Sequence, residues 1–182
     1  MATERSSQVA YIGIGANLGG PERQVRRAIT ELSQVRASRL LGASSLYWTR
    51  PLGPAGQPDY VNAVAALETW LAPEDLLAGL QAIEAAHGRQ RDGVRWGART
   101  LDLDLLLFGM AVLDTPGLRV PHPELARRPF VLVPLSDLAP ADLLIPGAGL
   151  LGDLLAACPR DGVHPLLSTP APGDGAPAPR PC

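Results

Sequence analysis

The sequence predicts an α+β fold: an antiparallel sheet with helices packed on it and a C-terminal extension. Three observations carry that expectation. Apolar runs of strand length alternate with two runs of helical period in the order β-α-β-β-α-β. Each helical run opens on a proline, and breaks rich in glycine and proline separate the pieces. That order is the one of the ferredoxin-like, split βαβ arrangement, in which two helices lie on one face of the sheet.

Val9–Ile14 is a short apolar run ending in GIGANLGG, read as a first strand and a glycine-rich turn. Pro21 suits the first turn of a helix, and Val25, Ala28, Ile29 and Leu32 recur behind it at helical spacing. Leu40–Tyr47 reads as a second strand. The segment TRPLGPAGQPD that follows has three prolines and two glycines and cannot hold regular structure. Tyr60–Trp70 reads as a long third strand. Pro73 opens a second helix with an apolar stripe of Leu76, Leu77, Leu80 and Ile83, and Gly88 stands just past its end. An arginine-rich segment then delivers the chain into RTLDLDLLLFG, residues 99–109, an apolar run of strand length. Beyond it, Leu118–Val120, a VPHP turn and the run Phe130–Leu135 predict an appended hairpin and strand. Residues 1–167 are expected to form one domain. The proline-, glycine- and alanine-rich stretch 168–182 cannot build a packed core and reads as a disordered tail.

A chain of 182 residues suits a single domain with a proper core. A net charge of −2 argues against a general nucleic-acid surface. All 16 basic residues are arginine, so a phosphate site must use guanidinium groups and a Walker-type lysine is impossible. The N-terminal MATERSSQ lacks the apolar stretch of a signal peptide, and the longest apolar run, Leu105–Leu113, is too short to span a bilayer. Cys158 and Cys182 do not make a disulfide framework. A cytoplasmic monomer without membrane or nucleic-acid partners is the expectation.

On a strand, residues two apart share a face, so Asp102 and Asp104 project together while Leu101, Leu103 and Leu105 point to the buried side. Adjacent carboxylates repel unless one is protonated, cationic side chains neutralise them, or metal ions do. Mg²⁺ prefers oxygen ligands and often takes one or two carboxylates plus substrate phosphates. An exposed strand face whose acids pair with surface arginines fits the spacing equally well.

Arg89, Arg91, Arg95 and Arg99 lie within eleven residues just upstream of the aspartates. Guanidinium forks match phosphate oxygens, and cations and acids this close suggest a polyphosphate bridged by metals to the carboxylates. A solvated basic loop is the plainer alternative. Gly88, Gly93 and Gly97 would let such a loop move, and Trp96 reads as a lid residue or a surface anchor. Tyr60 and Asn62 again share one strand face, where an aromatic beside an amide suits a flat, hydrogen-bonding heterocycle. Phe130 would supply a second stacking surface. His122, between two prolines, reads as a phosphate contact at most. GIGANLGG misses the dinucleotide-binding spacing, since the third glycine, Gly19, comes one residue late, and Asn17 reads as a turn residue making local backbone bonds.

Together these motifs resemble the 6-hydroxymethyl-7,8-dihydropterin pyrophosphokinases of folate biosynthesis over nearly all of residues 9–140. RWGARTLDLDLL, Arg95–Leu106, fits that family's hallmark segment; YWTRPLGPAGQPDYVNAV fits its substrate loop and third strand, and VPHPELARRPFVLVPL its C-terminal block. The resemblance implies that ATP donates a pyrophosphoryl group to the hydroxymethyl oxygen of the pterin, leaving AMP. It implies that Asp102 and Asp104 hold two Mg²⁺ ions, and that Arg89, Arg91, Arg95 and Arg99 serve the mobile loop and phosphate site. Thr49, Pro51, Leu52, Tyr60, Asn62, Trp96 and Phe130 match the pterin pocket. Glu84, Leu105, His122 and Arg128 match further ATP contacts. The chain departs from some relatives at Gly117, Arg119 and Pro123, where nucleotide contacts vary.

Two rivals remain at this level. A nucleotidyltransferase also carries D-x-D on a strand, but usually with a Gly-Ser turn upstream, where this chain has Gly97 and Ala98. A ferredoxin-like regulatory module would bind a small ligand without needing paired acids facing four arginines.

Overall fold

The computed structural model describes residues 6–51, 56–88, 98–159 and 162–166. In chain order the elements begin with β1 (Gln8–Ala16), α1 (Pro21–Leu32), β2 (Ser38–Ala43), β3 (Tyr47–Thr49), β4 (Tyr60–Thr69), α2 (Pro73–Ala86) and β5 (Asp102–Phe108). They continue with β6 (Leu113–Thr115), β7 (Leu118–Val120), α3 (Pro129–Ser136), β8 (Leu144–Ile145), β9 (Gly149–Leu150), α4 (Leu151–Ala157) and β10 (Val163–Pro165).

Strand β1 alternates as a two-sided strand must: Ala10, Ile12, Ile14 and Ala16 are buried on one face. It runs antiparallel between β4 and β5, with Gly15 opposite both Asn62 and Asp102. The strand runs on to Ala16, so Gly13 and Gly15 belong to the sheet rather than to the expected turn. Gly19 and Gly20 make that turn, with φ of 65° and 77°, a conformation glycine adopts without strain.

The expected strand Leu40–Tyr47 is two strands, β2 and β3, which pair end to end with β4. They part at Ser44, which donates its N–H to the Val64 carbonyl at 2.8 Å while its hydroxyl accepts the Val64 N–H at 2.9 Å. A side chain there takes a place in the backbone ladder, and the strand is broken. β4 stops at Thr69, one residue short of Trp70, whose N–H turns to the carbonyl of Ala37.

The resulting order, with β5, β1 and β4 side by side, β2 and β3 outside β4, and β10 beyond β3, is the antiparallel ferredoxin-like pattern extended by one strand. Helices α1 and α2 cover one face, packing Val25, Ala28, Leu32, Leu76 and Leu80 on the inward leucines of β5. The other face is covered too. Phe130–Leu135, expected as a strand, is helix α3, and it packs with α4 on Val64, Leu106 and Leu107. A short run that is apolar on all sides has no period that separates strand from helix. Leu118–Val120 is a strand as expected, but it pairs backward with β6 rather than across the VPHP turn, and the hairpin is anchored to β5 by a bond from the His122 N–H to the Leu106 carbonyl.

Among the described residues no helix is long and apolar enough to cross a membrane. The stretch 168–182 lies outside them.

Candidate active site

On the α3 face, where β1, β4 and β5 end together, a cavity of about 300 Å³ opens. The strands bring to it Gly13 and Gly15 from β1, Thr49 from β3, Tyr60 and Asn62 from β4, and Asp102 and Asp104 from β5. Arg99, His122, Arg128 and Phe130 complete its wall. Positions two apart on three adjacent strands thus meet at one point, which is why pairs that the sequence holds far apart form a single site.

The two glycines are there because nothing larger fits easily. A Cβ on Gly15 would stand 3.2 Å from Asn62 Oδ1, and one on Gly13 3.3 Å from a Leu106 methyl. Asn62 is buried, and its amide nitrogen donates to Thr49 Oγ1 at 2.7 Å. That bond fixes the amide so that its oxygen faces the glycine floor.

Arg99 clamps Asp102 at 2.6 Å, both side chains being mostly buried. Asp104 stands otherwise. Among the described residues its nearest basic groups are His122 Nε2 at 3.8 Å and Arg128 at 3.9 Å, beyond hydrogen-bond reach. Burial and the charge of Asp102 push its carboxyl pKa up, against the pull of His122, Arg128 and Arg99. Two hard oxygen donors side by side, one held only loosely by the protein, are suited to a divalent cation completed by substrate oxygens. Among the described residues no cluster of three or more His, Cys, Asp and Glu side chains forms a closed metal cage.

His122 receives the Glu124 N–H at Nδ1 at 3.2 Å, so the proton of its neutral ring lies on Nε2, facing Asp104. Burial lowers its pKa, with Asp104 opposing, and the ring is set up as a neutral donor. Burial raises the pKa of the Tyr60 phenol, which stays neutral. Arg128 lies over the Phe130 ring at 5.7 Å.

A second cavity, about 790 Å³, runs along the outer edge of β5 between α2 and the β6–β7 hairpin. Asp104 and His122 line both cavities and stand where they adjoin.

The comparisons with known proteins decide the family. Residues 11–140 match the 7,8-dihydro-6-hydroxymethylpterin-pyrophosphokinases. The chain belongs to this family. It is 53% identical over 159 residues to the 2-amino-4-hydroxy-6-hydroxymethyldihydropteridine pyrophosphokinase of Pseudomonas aeruginosa, covering 87% of this chain and 97% of that one. The protein of that name from Haemophilus influenzae is 46% identical over 146 residues, 80% of this chain and 90% of that one. A solved Plasmodium falciparum HPPK-DHPS, wild type with pteroate, superposes with a TM-score of 0.66 at 12% identity, a likeness of fold. That match takes in 86% of this chain but only 43% of the Plasmodium chain, so this chain spans under half its length.

For this pyrophosphokinase, nine of the residues singled out in the sequence share the first cavity: Thr49, Tyr60, Asn62, Arg99, Asp102, Asp104, His122, Arg128 and Phe130. Pro51 is half-buried and outside its lining. Leu105 faces away and lines the second cavity. Glu84 lies in neither: it is 3% exposed and accepts the Leu103 N–H at 2.8 Å, tying α2 to β5 beneath the aspartates. Leu52, Arg89, Arg91, Arg95 and Trp96 lie outside the described residues.

Three participants went unread. Gly13 and Gly15 were signalled by their i, i+2 spacing on an apolar strand, and Arg50 by its place beside Thr49. Asn17, expected to bond locally, is buried and reaches across the chain: its Oδ1 accepts the Arg99 N–H at 2.7 Å and its amide donates to the Pro58 carbonyl at 3.2 Å. No local pattern reveals partners 82 and 41 positions away.

Proposed function

We propose that this pyrophosphokinase transfers the terminal pyrophosphoryl group of ATP to the hydroxymethyl oxygen of 6-hydroxymethyl-7,8-dihydropterin, giving AMP and the pterin diphosphate. The carrying observation is the position of Asp104 and His122 on the wall common to two cavities, one lined by aromatic and amide side chains and one set between the edge of β5, α2 and the β6–β7 hairpin. A reaction joining two substrates needs such a junction.

In the first cavity Tyr60 and Phe130 offer stacking faces, and Asn62 Oδ1, fixed by Thr49, offers an acceptor to the edge of the ring. Thr49, Pro51, Leu52 and Trp96 complete the pterin pocket in this reading. In the second, the outward edge of β5 meets the nucleotide. The Leu103 N–H points outward to Glu84, and by strand alternation the backbone groups of Leu105 point the same way. Leu105 therefore contributes its backbone, and Glu84 steadies the strand that presents it.

Asp102 and Asp104 would hold two Mg²⁺ ions, which neutralise triphosphate charge and lower the proton affinity of the attacking hydroxyl. Arg99, His122 and Arg128, with Arg89, Arg91 and Arg95 from the preceding segment, hold the phosphate oxygens. The hydroxymethyl oxygen attacks the β-phosphorus in line, the bond to the α-phosphate oxygen breaks, AMP departs and the hydroxyl proton passes to water. His122 carries its proton toward the junction and is a donor there, so positioning and electrostatics do the catalysis.

The test is a product assay with ATP, Mg²⁺ and 6-hydroxymethyl-7,8-dihydropterin that separates AMP from ADP. Pterin-dependent AMP with matching pterin diphosphate is expected. ADP would mean single-phosphoryl transfer and overturn the mechanism.

A further inference from the structure

Behind the first cavity stands a carboxylate that the reaction above does not use. Asp137 caps the C-terminal end of α3 and is exposed, yet the sheet engages both of its oxygens. Oδ2 accepts the Ser45 N–H at 2.9 Å, and the Tyr47 hydroxyl reaches Oδ2 at 2.9 Å and Oδ1 at 3.0 Å. The break between β2 and β3 takes the Ser45 N–H out of the ladder, and it donates to Asp137 instead. Tyr47 is buried, and burial, with Asp137 adding, raises the pKa of its phenol, so it stays a proton donor.

These bonds tie together the two walls of the cavity. One wall is the sheet. Tyr47 is the register partner of Asn62, and Thr49, two residues on, is that of Tyr60 and holds the Asn62 amide. The other wall is α3, which carries Phe130 in its first turn and Asp137 past its far end, across eight residues or about 12 Å of helix. Between its ends α3 rests on the sheet through Val131, Leu132 and Leu135, which pack with Val64 and Leu106. Apolar burial is non-directional and leaves the helix free to roll on that face. Among the described residues, the hydrogen bonds that join α3 and its cap to β3 and β4 all end on Asp137. We infer, on the reading of the first cavity as the pterin site, that Asp137 is a positioning residue for the pterin. Through Ser45 and Tyr47 it fixes how α3 lies on the sheet, and so the gap between the Phe130 and Tyr60 rings that the heterocycle fills.

The test is a calorimetric titration with 6-hydroxymethyl-7,8-dihydropterin of the full chain saturated with Mg²⁺ and α,β-methylene-ATP, which lacks the cleavable bridge. Asp137→Ala should weaken pterin binding at least fivefold. Tyr47→Phe, which loses only the hydroxyl, should weaken it at least threefold, and Asp137→Asn, which keeps one acceptor oxygen, should fall between Asp137→Ala and the wild type. Affinity for the ATP analogue should stay within twofold, because Asp102 and Asp104 stand on β5, which the clasp does not touch. In turnover, KM for the pterin should rise in proportion and kcat should stay within twofold. Phe130→Leu removes the stacking face. In that background Asp137→Ala should weaken pterin binding by less than twofold, since two residues acting through one contact do not add. Unchanged pterin affinity in both Asp137→Ala and Tyr47→Phe would overturn the inference while leaving the pterin site standing, whatever the thermal midpoint does. So would a full fivefold loss persisting in the Phe130→Leu background, or equal losses for pterin and nucleotide. Failure of the wild type to bind the pterin would overturn the pterin site itself, and this inference with it.

Discussion

Asn17 and Arg99 bond reciprocally. The Asn17 N–H donates to the Arg99 carbonyl at 3.0 Å, and the Arg99 N–H donates to Asn17 Oδ1 at 2.7 Å. The amide of the same asparagine holds Pro58 and Gln57. One buried side chain thus joins the end of β1, the loop leading into β4 and the residue that clamps Asp102.

Asn17→Ala removes those side-chain bonds and leaves the Arg99 N–H without its partner. The expected cost is about 3 kcal/mol of unfolding free energy, at roughly 1 kcal/mol for each of the three bonds. Turnover at subsaturating substrate should fall more than tenfold, since Arg99 and the loop drift together. Urea unfolding and steady-state kinetics on one preparation check both.

Asp104→Ala should abolish turnover and leave the fold intact. Asp104 makes no hydrogen bond to a described residue, and burial beside Asp102 disfavours its charge. A thermal midpoint equal to or above that of the wild type is expected, in an enzyme at least a thousandfold slower. A variant unfolded at room temperature would show that the carboxylate supports the fold.

Gly15→Ala puts a methyl 3.2 Å from Asn62 Oδ1 on the pterin side. The backbone there has ordinary strand geometry, so little stability should be lost. KM for the pterin should rise about tenfold or more, at 1.4 kcal/mol per decade, while binding of α,β-methylene-ATP stays as in the wild type. Equal losses for both ligands would mean that the floor of the site had shifted.

The pH response separates a structural cluster from the site. Buried His87 bonds Glu31 and Gln24 at 2.7 Å each, joining α1 to the end of α2. Burial pushes the Glu31 carboxyl up, but hydrogen bonds from His87 and Arg27 outweigh it and hold its pKa below the usual 4.5. A carboxyl lowered on folding stabilises the fold above its unfolded value, and that stability is lost as pH falls through the folded value. Glu31→Gln should therefore be less stable than the wild type at pH 7 and match it in acid, below the lowered value. Denaturant midpoints over an acid-to-neutral series read this directly.

The aspartates on β5 were legible because a strand has period two, and Asp102 and Asp104 do share a face with Leu103 buried behind them. The Tyr60 and Asn62 pair follows from the same rule. Leu40–Tyr47 and Phe130–Leu135 misled for opposite reasons. In the first, one serine hydroxyl entered the ladder and broke a strand that apolar pattern makes continuous. In the second, a run apolar on every side carries no period, and its packing against Val64 and Leu106 makes it a helix. Glu84 sits on the edge of an apolar stripe in the sequence, yet it is buried, because the Leu103 N–H meets its carboxylate there.

By itself the sequence determined the alternation of strands and helices as far as β5, save for the break at Ser44, together with the faces on which the paired residues lie and the family to which three motif blocks belong. Those are properties of neighbours along the chain, fixed by local period and turn chemistry. Only the tertiary structure decided that β1, β4 and β5 end at one cavity, that Asn17 bridges three segments, and that Asp104 stands between two cavities. These depend on which strands lie side by side, and that choice is made by burying both faces of the sheet at once.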